Sequence, residues 1–488
     1  MQYSTYLFIL AALPLTVCGY YLFARLGRKA ANLFLAGASL CLYAYGGWKS
    51  LLWLCVSIGV NSLLLAGMKR WKKGTKALLW LGIAFHVGLL FVFKYLNFAA
   101  QTVNLMLRTA IYPPSLALPL GISFFTFQQI AYLVDASRGE REGDSFLDYV
   151  LYVVYFPKLI MGPIAPAEDL IPQFHQESRL RFRQESFCAG MRQFTFGLFK
   201  KAVLADTFAS AAVFLTMEEA SALELLLMML AYTFQIYFDF SGYSDMALGF
   251  SRMLNIDLPM NFDSPYKALS IRDFWKRWHI SLSEWFRDYL YIPLGGSRKS
   301  GIRNVFNLAV VWLCTGIWHG AGFSFIAWGL VFFVLILFER YLVKPSQLGR
   351  KASLLWRILV LLIINFNWVL FSHNGLREGI NYCLAMTGFK LTNSGFSFVG
   401  NSLFNLSDVR FLREYGIYLI LGILFSTPVV RSLKEKFFLQ KDSSGVLLSV
   451  KYKAVLNVAE FILYGMAFLC ALSFVVISNH NPFMYQQF

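Results

Sequence analysis

The feature that most constrains this chain is a run of 35 positions, residues 304–338, that contains no Asp, Glu, Lys or Arg. As one helix the run would be about 52 Å long at about 1.5 Å per residue, whereas the hydrocarbon core of a membrane is about 30 Å thick. The run must therefore break. Three glycines lie near its middle: Gly316, Gly320 and Gly322. The sequence predicts two membrane-length helices, 304–320 and 321–338, with Trp318 and His319 at or near the break.

The composition extends this conclusion to the whole chain. Of its 488 residues, 57% are hydrophobic and 15% are charged, whereas soluble proteins carry about 25% charged residues. These values exclude a soluble multidomain enzyme. They also exclude a disordered protein, which requires low hydrophobicity and high charge. Since each membrane span needs about 20 apolar residues, we predict an all-α, polytopic integral membrane protein with about 10–13 transmembrane or re-entrant helices.

The basic residues indicate the orientation of the chain. The net charge of +17 is explained by the excess of Lys and Arg in cytoplasmic loops, so nucleic acid is not an expected partner. Residues 1–24 carry no charge and the first basic side chains follow them, the opposite of the order in a cleavable signal peptide. We therefore expect a retained first span with its N-terminus outside, and a cytoplasmic location for the lysine-rich cluster 69–76.

Strict alternation of spans does not accommodate every apolar segment. The other segments lie near 31–47, 51–68, 77–93, 118–134, 147–164, 202–217, 222–250, 354–372, 415–430 and 455–477. At least one of 118–134 and 147–164 is expected to enter and leave on the same side. Irregular backbone at membrane depth is tolerated only where protein or a water-filled cavity covers it, so a polar cavity is expected. No repeat or linker divides the chain, and we predict one membrane domain over residues 1–488.

Residues 272–290 form the most regular amphipathic pattern. Their apolar side chains recur with a period of 3.6 residues and the charged side chains occupy the other face. The pattern predicts one helix at the cytoplasmic interface. His279 shares the apolar face with Trp275, Leu282 and Phe286, and is expected to point into the bundle. Its role stays open between hydrogen bonding within an aromatic anchoring helix and catalysis.

Two carboxylates, Asp239 and Asp245, interrupt an apolar helix, with Tyr243 one turn from Asp239. A bare carboxylate at membrane depth is neutralised or paired. We therefore favour structural hydrogen bonding for both, and the lining of a polar reaction cavity is the alternative. For His319 we instead favour a functional role, because intramembrane ionisable residues are functional candidates. A hydrogen bond that holds two helices together is the alternative. No CxxC pair and no His/Asp/Glu set with metal-ligand spacing occurs, so neither a disulfide framework nor a metal site is expected.

Five motifs follow one another along the chain: LPLGISFFTFQQIAYLVD, YFPKLIMGPI, YFDFSGYSDMALG, NFDSPYKALSIRDFWKRWHISLSEWFRDYLYIPLGG and WLCTGIWHGAGFSFIAWG. In this order they resemble the motifs of the membrane-bound O-acyltransferase family, in particular its bacterial alginate O-acetyltransferase-like branch. They span about residues 115–345, and five ordered motifs are far more specific than a single WHG. The resemblance implies a single O-acyltransferase domain over residues 1–488, in which a helical bundle surrounds a central funnel where a cytosolic donor and an outside acceptor meet.

The resemblance also assigns functional residues. The family's catalytic His in its WHG-like motif matches His319, and a second His of the polysaccharide branch matches His279 in RWHISLS. A neutral imidazole suits general base catalysis near neutral pH. We expect His319 to take the acceptor's proton, and His279 to position the donor or stabilise the oxyanion. Six further residues are predicted to bind substrate or line the cavity, the two indoles as oxyanion donors: Trp318, Trp278, Asp239, Tyr243, Asn261 and Ser281.

The activity implied is acetyl transfer to an exopolysaccharide such as alginate. The expected donor is acetyl-CoA or another acetyl thioester from the cytosol, with no bound cofactor, and the expected location is the bacterial inner membrane. The expected partner is an extracytoplasmic SGNH-type acetyltransferase, and an acyl carrier protein is an alternative donor. Transfer of D-alanyl or another acyl group to a cell-envelope polymer is the alternative reaction. A glycan or lipid-precursor transporter is the rival from another class, but it predicts an internal repeat that the sequence does not display.

Overall fold

The computed structural model is built almost entirely from helices. The described residues are 2–114, 116–212, 220–298, 300–373, 375–392, 395–398, 400, 402–429, 432, 450–477 and 483–484. The helices before residue 213 are α1 (Leu13–Ala24), α2 (Arg28–Ala44), α3 (Trp48–Arg70), α4 (Thr75–Leu90), α5 (Leu96–Leu107), α6 (Ile122–Ser137), α7 (Phe146–Val154), α8 (Phe156–Leu159), α9 (Ala167–Phe174), α10 (Gln184–Phe199) and α11 (Asp206–Ala212).

The second half of the chain continues in the same way. Its helices are α12 (Ala222–Met253), α13 (Ile271–Trp275), α14 (Ile280–Phe286), α15 (Gly301–His319), α16 (Phe323–Phe338), α17 (Arg350–Ser372), α18 (Leu376–Ala385), α19 (Leu406–Ser426) and α20 (Val450–Ile477). Strands β1 (Phe389–Thr392) and β2 (Gly395–Phe398) pair antiparallel in register Phe389↔Phe398. Since this hairpin is short, the prediction of an all-α architecture is confirmed.

Six helical stretches of the described residues are long and apolar enough to cross a membrane. They are Trp48–Arg70, Lys72–Leu107, Ala222–Met253, Phe323–Val343, Arg350–Ser372 and Asn457–Ile477. The prediction of a multi-pass membrane protein is therefore confirmed. The second stretch is longer than the predicted segment 77–93, because a π-helical turn, Phe91–Tyr95, joins α4 to α5 without ending the helix.

Helix α12 is the central, most buried of these stretches. It touches α10 backbone to backbone: a Cβ added to Gly242 would lie 2.8 Å from the carbonyl oxygen of Gly197. Gly242 therefore provides the close helix approach that its position in an apolar helix allows. Any larger residue there would force the two helices apart.

Two ion pairs, one buried and one half-buried, join α12 to the π-helical turn that follows α10, Lys200–Ala205. Lys201 Nζ lies 2.7 Å from Asp239 Oδ1, and Lys200 Nζ lies 2.7 Å from Asp245 Oδ2. Both carboxylates are thus paired, as carboxylates at this depth are expected to be. The pairs neutralise four charges inside the bundle.

The segment 147–164 is broken rather than helical throughout. After α7 and the four-residue α8 the chain has no regular structure up to Pro166. Residues 155–165 are all buried, so protein covers this irregular backbone, as predicted for one of the two ambiguous segments. The side on which the segment leaves the membrane stays a prediction.

The prediction of one amphipathic helix over 272–290 is wrong. Helix α13 ends before His279 and α14 begins after it, and the backbone of His279 is left-handed with φ of 45°. The cause is tertiary. The carbonyl oxygen of Asn261 accepts a hydrogen bond from the backbone N–H of Ile280 at 3.1 Å, and its side-chain Oδ1 accepts one from Ser281 Oγ at 2.6 Å. The backbone N–H of Ile280 therefore donates to the loop at Asn261, whereas in a continuous helix it would donate to a carbonyl oxygen of the same helix.

Candidate active site

Helices α15 and α16 form a tight hairpin whose turn carries His319. Helix α15 ends at His319, and the backbone is extended at Gly320 before α16 begins. The predicted break in the uncharged run is therefore confirmed. A Cβ on Gly316 would lie 2.5 Å from the carbonyl oxygen of Phe325, and a Cβ on Gly329 would lie 2.5 Å from that of Trp312. The two backbones touch, which fixes the position of the turn.

Aromatic rings enclose His319, which is only 3% exposed. Its ring centroid lies 4.9 Å from that of Trp318, 5.0 Å from Trp328 and 5.4 Å from Phe371. These rings come from α15, α16 and α17. An imidazole held in this way is shielded from bulk water, which strengthens its interactions with any polar reactant.

His279 reaches the same place from the other side. It is fully buried, its ring lies edge-on to Phe240 at 4.6 Å, and its centroid is 6.1 Å from Trp318. Neither ring nitrogen has a hydrogen-bond partner among the described residues. The structure thus brings both predicted histidines onto one indole ring, although 40 residues of sequence separate them. The two free nitrogens of His279 leave it able to bind a reactant.

Two residues that the sequence interpretation missed hold the end of α15. Lys94 Nζ donates to the carbonyl oxygens of Trp318 at 2.5 Å and His319 at 3.2 Å, and Tyr95 Oη donates to that of Ile317 at 2.7 Å. The last carbonyls of a helix lack partners within the helix, and a cation there is favourable. The π-helical turn Phe91–Tyr95 aims both side chains at α15. The available signal was a lone Lys directly after the charge-free segment 77–93.

The other predicted site residues divide into two groups. Trp318 lies between the histidines, and its indole N–H has no partner among the described residues. Trp278 packs on Phe274 and Trp368, with centroids 5.6 and 4.9 Å away, as part of the wall. Asn261 and Ser281 hold the left-handed turn at His279. Ser281 Oγ also accepts from the backbone N–H of Ile164 at 3.0 Å, which ties the turn to the irregular buried segment.

Asp239 and Tyr243 make their contacts elsewhere. Asp239 pairs with Lys201 and accepts a hydrogen bond from the backbone N–H of Met484 at 2.9 Å. Tyr243 packs on Tyr3 at 4.9 Å and on Phe483 at 5.0 Å. These contacts join α12 to residues near both ends of the chain, and the assignment of either residue to substrate binding stays a prediction.

A cavity of about 590 Å³, which we call the mouth cavity, opens between α6, the segment 164–169 and α14. Ser281 is one of its lining residues. Its charged lining residues are Asp135, Glu140, Glu168, Asp169, Glu284, Asp288, Arg138 and Arg287. Six carboxylates against two guanidinium groups give the wall a net formal charge of −4.

An aromatic stack connects the mouth cavity to the histidines. Trp285 lines the cavity and stacks on Phe127 with centroids 3.8 Å apart and an interplanar angle of 11°. Phe127 lies 5.4 Å from Trp318, which contacts both histidine rings. Three aromatic rings in contact, those of Trp285, Phe127 and Trp318, thus link the cavity to the two histidine rings.

Asp135, beyond the apolar part of α6, is the most perturbed carboxyl of the mouth cavity. Burial raises its pKa to about 6, although Tyr289 Oη donates a hydrogen bond to Oδ2 at 3.0 Å and favours the charged form. The carboxyl is therefore protonated over a range of pH in which an exposed Asp is charged.

Among the described residues, no group of three His, Cys, Asp or Glu side chains is placed to hold a metal ion.

Known proteins resemble this chain over all or part of its length. The family model of the membrane-bound O-acyltransferases matches residues 101–377. A peptidoglycan O-acetyltransferase of Helicobacter pylori is 34% identical over 100% of this chain and 98% of its own length. A probable alginate O-acetylase of Pseudomonas putida is 31% identical over the full length of both proteins. A teichoic acid D-alanyltransferase of Bacillus subtilis is 29% identical over 53% of this chain and 68% of its own length. The range 101–377 includes both histidines and the α15–α16 hairpin.

Proposed function

Because this chain belongs to the membrane-bound O-acyltransferase family and is an O-acyltransferase, we propose that it moves an acetyl group from a cytosolic thioester toward a cell-envelope polysaccharide. Support for acetyl comes from the relatives named as O-acetylating proteins, which match over the full length. The D-alanyltransferase matches only 53% of this chain, so D-alanyl transfer is the second candidate. The observation that carries the proposal is the pair of buried histidines on one indole ring, next to the mouth cavity.

The proposed step uses His319 as general base. Its imidazole accepts the proton of the acceptor hydroxyl as the oxygen attacks the carbonyl carbon of the thioester, and an oxyanion forms. When the oxyanion collapses, the carbon–sulfur bond breaks and the thiolate leaves, taking the proton back from the imidazolium. Atoms and charge balance without a metal or redox cofactor, so we propose that none is bound. An acetyl-His intermediate is the two-step variant of the same chemistry.

His279 and Trp318 are placed to assist the same step. The indole N–H of Trp318 has no partner among the described residues, and both ring nitrogens of His279 are free of protein partners there. A donor already oriented in a dry site stabilises a developing oxyanion without reorganisation. We assign Trp318 to the oxyanion that forms from the thioester carbonyl oxygen. We assign His279 to the donor arm or, together with Trp318, to the same oxyanion. Trp278, whose ring packs on Phe274 and Trp368, forms part of the wall of the site.

The donor enters through the mouth cavity. Its wall carries six carboxylates, which disfavour phosphate groups, so only the uncharged thioester arm of acetyl-CoA or of an acyl carrier protein passes inward. The charged part of the donor stays at the rim in the cytosol. The acceptor approaches from outside, and an extracytoplasmic SGNH-type acetyltransferase then passes the acetyl group to the polymer. For this arrangement we propose that the chain lies in the inner membrane with its N-terminus outside.

The acceptor polymer is an exopolysaccharide or peptidoglycan. The test is the amount of ester-linked acetate on both polymers in cells that carry wild type or His319→Ala at equal membrane expression. We expect His319→Ala to abolish the acetate on one polymer without affecting its export. The matched control is His373→Ala. His373 directly follows α17, and its Nδ1 hydrogen-bonds to the carbonyl oxygen of Val369 in the last turn of that helix. Unchanged acetate would refute the role of His319, and lost export with normal acetylation would favour a transporter.

A further inference from the structure

Two further cavities meet at the outer surface of α3 and α7. One is a pocket of about 390 Å³ between the end of α3 and the loop 138–145, which we call the polar pocket because charged side chains line it. The other is an apolar groove of about 610 Å³ between α2, α3 and α7. Ser62 and Phe146 line both. The polar pocket and the apolar groove therefore adjoin at these two residues.

The polar pocket is positively charged. Four basic side chains line it with two carboxylates, which leaves a net charge of +2: Lys69, Lys72, Arg138, Arg141, Glu142 and Asp144. Arg141 Nη1 lies 3.8 Å from Asp144, but its Nε is buried and has no hydrogen-bond partner among the described residues. A buried donor without an acceptor destabilises the protein. A phosphate oxygen is the acceptor that matches a guanidinium group, so the pocket suits a phosphate ester.

The apolar groove has the dimensions of part of a lipid chain. Along α3 it runs from Ser62 to Cys55, about 10 Å at 1.5 Å per residue. That is about a third of the hydrocarbon thickness of a bilayer. Gly59 lies in this wall, and a Cβ added there would meet nothing within 4 Å. The missing side chain leaves room along the helix for a chain of methylene groups.

The two cavities lie at the depths that a phospholipid requires. Trp71, directly after α3, is 57% exposed and lies within the lysine-rich cluster 69–76. Exposed Trp marks the membrane interface, and Lys and Arg mark its cytoplasmic side. The polar pocket is therefore at the level of the lipid headgroups, and the apolar groove extends from it toward the middle of the bilayer.

From this juxtaposition we propose that the composite cavity binds one anionic phospholipid of the cytoplasmic leaflet, with its phosphate in the polar pocket and one acyl chain in the apolar groove. The net charge of +2 selects an anionic over a zwitterionic headgroup. Arg138 also lines the mouth cavity, so the lipid lies beside the donor entrance. The proposal is independent of which acyl group the enzyme transfers.

The test measures lipid retention by the full-length protein in detergent. Deuterated phosphatidylglycerol, phosphatidylcholine or glycerol 3-phosphate is added at equal concentration to delipidated protein, and the amount bound is quantified by mass spectrometry. Gly59→Leu fills the groove, and its control is Gly37→Leu, which adds the same side chain at another exposed position with free space. Lys69→Gln with Lys72→Gln removes charge from the pocket, and its control is Arg350→Gln with Lys351→Gln on exposed α17 positions.

We expect wild type and both controls to retain at least ten times more phosphatidylglycerol than phosphatidylcholine, and both test variants to lose at least tenfold. Glycerol 3-phosphate should not compete, because it lacks the acyl chain. Equal retention of the two lipids, or unchanged retention in Gly59→Leu, would overturn the proposal. Competition by glycerol 3-phosphate would instead identify a site for a soluble phosphate. If Gly59→Leu fails to fold, the lysine variant still decides, because both lysines are exposed.

Discussion

The ammonium group of Lys94 lies 3.2 Å from the carbonyl oxygen of His319, a residue 225 positions later in the chain. It also bonds the carbonyl oxygen of Trp318. Helix α15 thus ends on a cation supplied by a π-helical turn of another span. Such turns recur at functional sites because the extra residue redirects side chains. The relationship makes Lys94 a positioning residue for His319, since it acts through the backbone rather than on the reactants.

The first prediction concerns this contact. Lys94→Met is expected to lower kcat on the order of 100-fold, the loss that follows from a displacement of about 1 Å at a reacting group. KM for the donor should change little, because the mouth cavity is lined by other elements. Initial rates of acyl transfer by protein in liposomes provide the measurement.

Two companion variants separate positioning from a loss of folding. Lys94→Arg keeps a cation at the end of α15 and should recover a large part of kcat. Tyr95→Phe removes only the hydrogen bond to Ile317 and should cost less than tenfold, in keeping with one neutral hydrogen bond of about 1 kcal/mol. Equal losses in all three variants would argue against a specific role of the ammonium group.

A second prediction tests the α15–α16 hairpin. Gly316→Ala places a Cβ 2.5 Å from a backbone carbonyl oxygen, so the helices must separate. We expect a loss of about 1–3 kcal/mol, as in overpacked cores, together with reduced activity because His319 lies at the end of α15. Gly301→Ala, in the same helix with free space around its Cβ, is the control. A thermal unfolding temperature equal to that of Gly301→Ala would contradict this account.

A third prediction concerns the turn at His279. Asn261→Ala removes the acceptor of Ser281 Oγ and leaves buried donors unpaired, which costs about 1–3 kcal/mol. Because these bonds hold the left-handed backbone of His279, the loss of activity, expressed as a change in activation free energy, should exceed the loss in free energy of unfolding. Asn261→Asp keeps an acceptor at the same place and should retain more activity than Asn261→Ala. The reverse order would show that Asn261 matters as a donor instead.

The fourth prediction is a dependence of stability on pH. Since burial raises the pKa of Asp135 to about 6, the folded protein holds a proton that the unfolded chain has lost between about pH 4 and pH 6. The stabilisation by the protonated form is complete below pH 4 and is lost as the pH rises to 6. Above pH 6 the charged carboxylate costs the folded state at most about 3 kcal/mol.

Asp135→Asn should therefore raise the unfolding temperature relative to wild type at pH 8 and leave it nearly unchanged at pH 4.5. Asn keeps an acceptor for Tyr289, so the difference reports the charge. Thermal unfolding in detergent at the two pH values is the measurement, with Asp288→Asn at the same cavity as control. An identical difference at both pH values would refute the titration of Asp135.

The interpretation of 272–290 shows where sequence reasoning failed. Periodicity described correctly which side of the segment is apolar, and His279 is buried as that side requires. It did not reveal the break, because the hydrogen bonds that replace helical ones come from Asn261 in a different loop. An apolar period of 3.6 residues is compatible with two short helices of similar direction as well as with one long helix.

What the sequence by itself determined was the membrane class of the protein and the break at His319. Both follow from a length: a run of 35 uncharged residues exceeds the thickness of a bilayer, and no tertiary contact can change that. Only the tertiary structure decided which residues surround the break. Lys94, His279 and Trp328 come from three other elements, and their approach depends on helix packing and on backbone hydrogen bonds between distant segments, which leave no periodic signal along the chain.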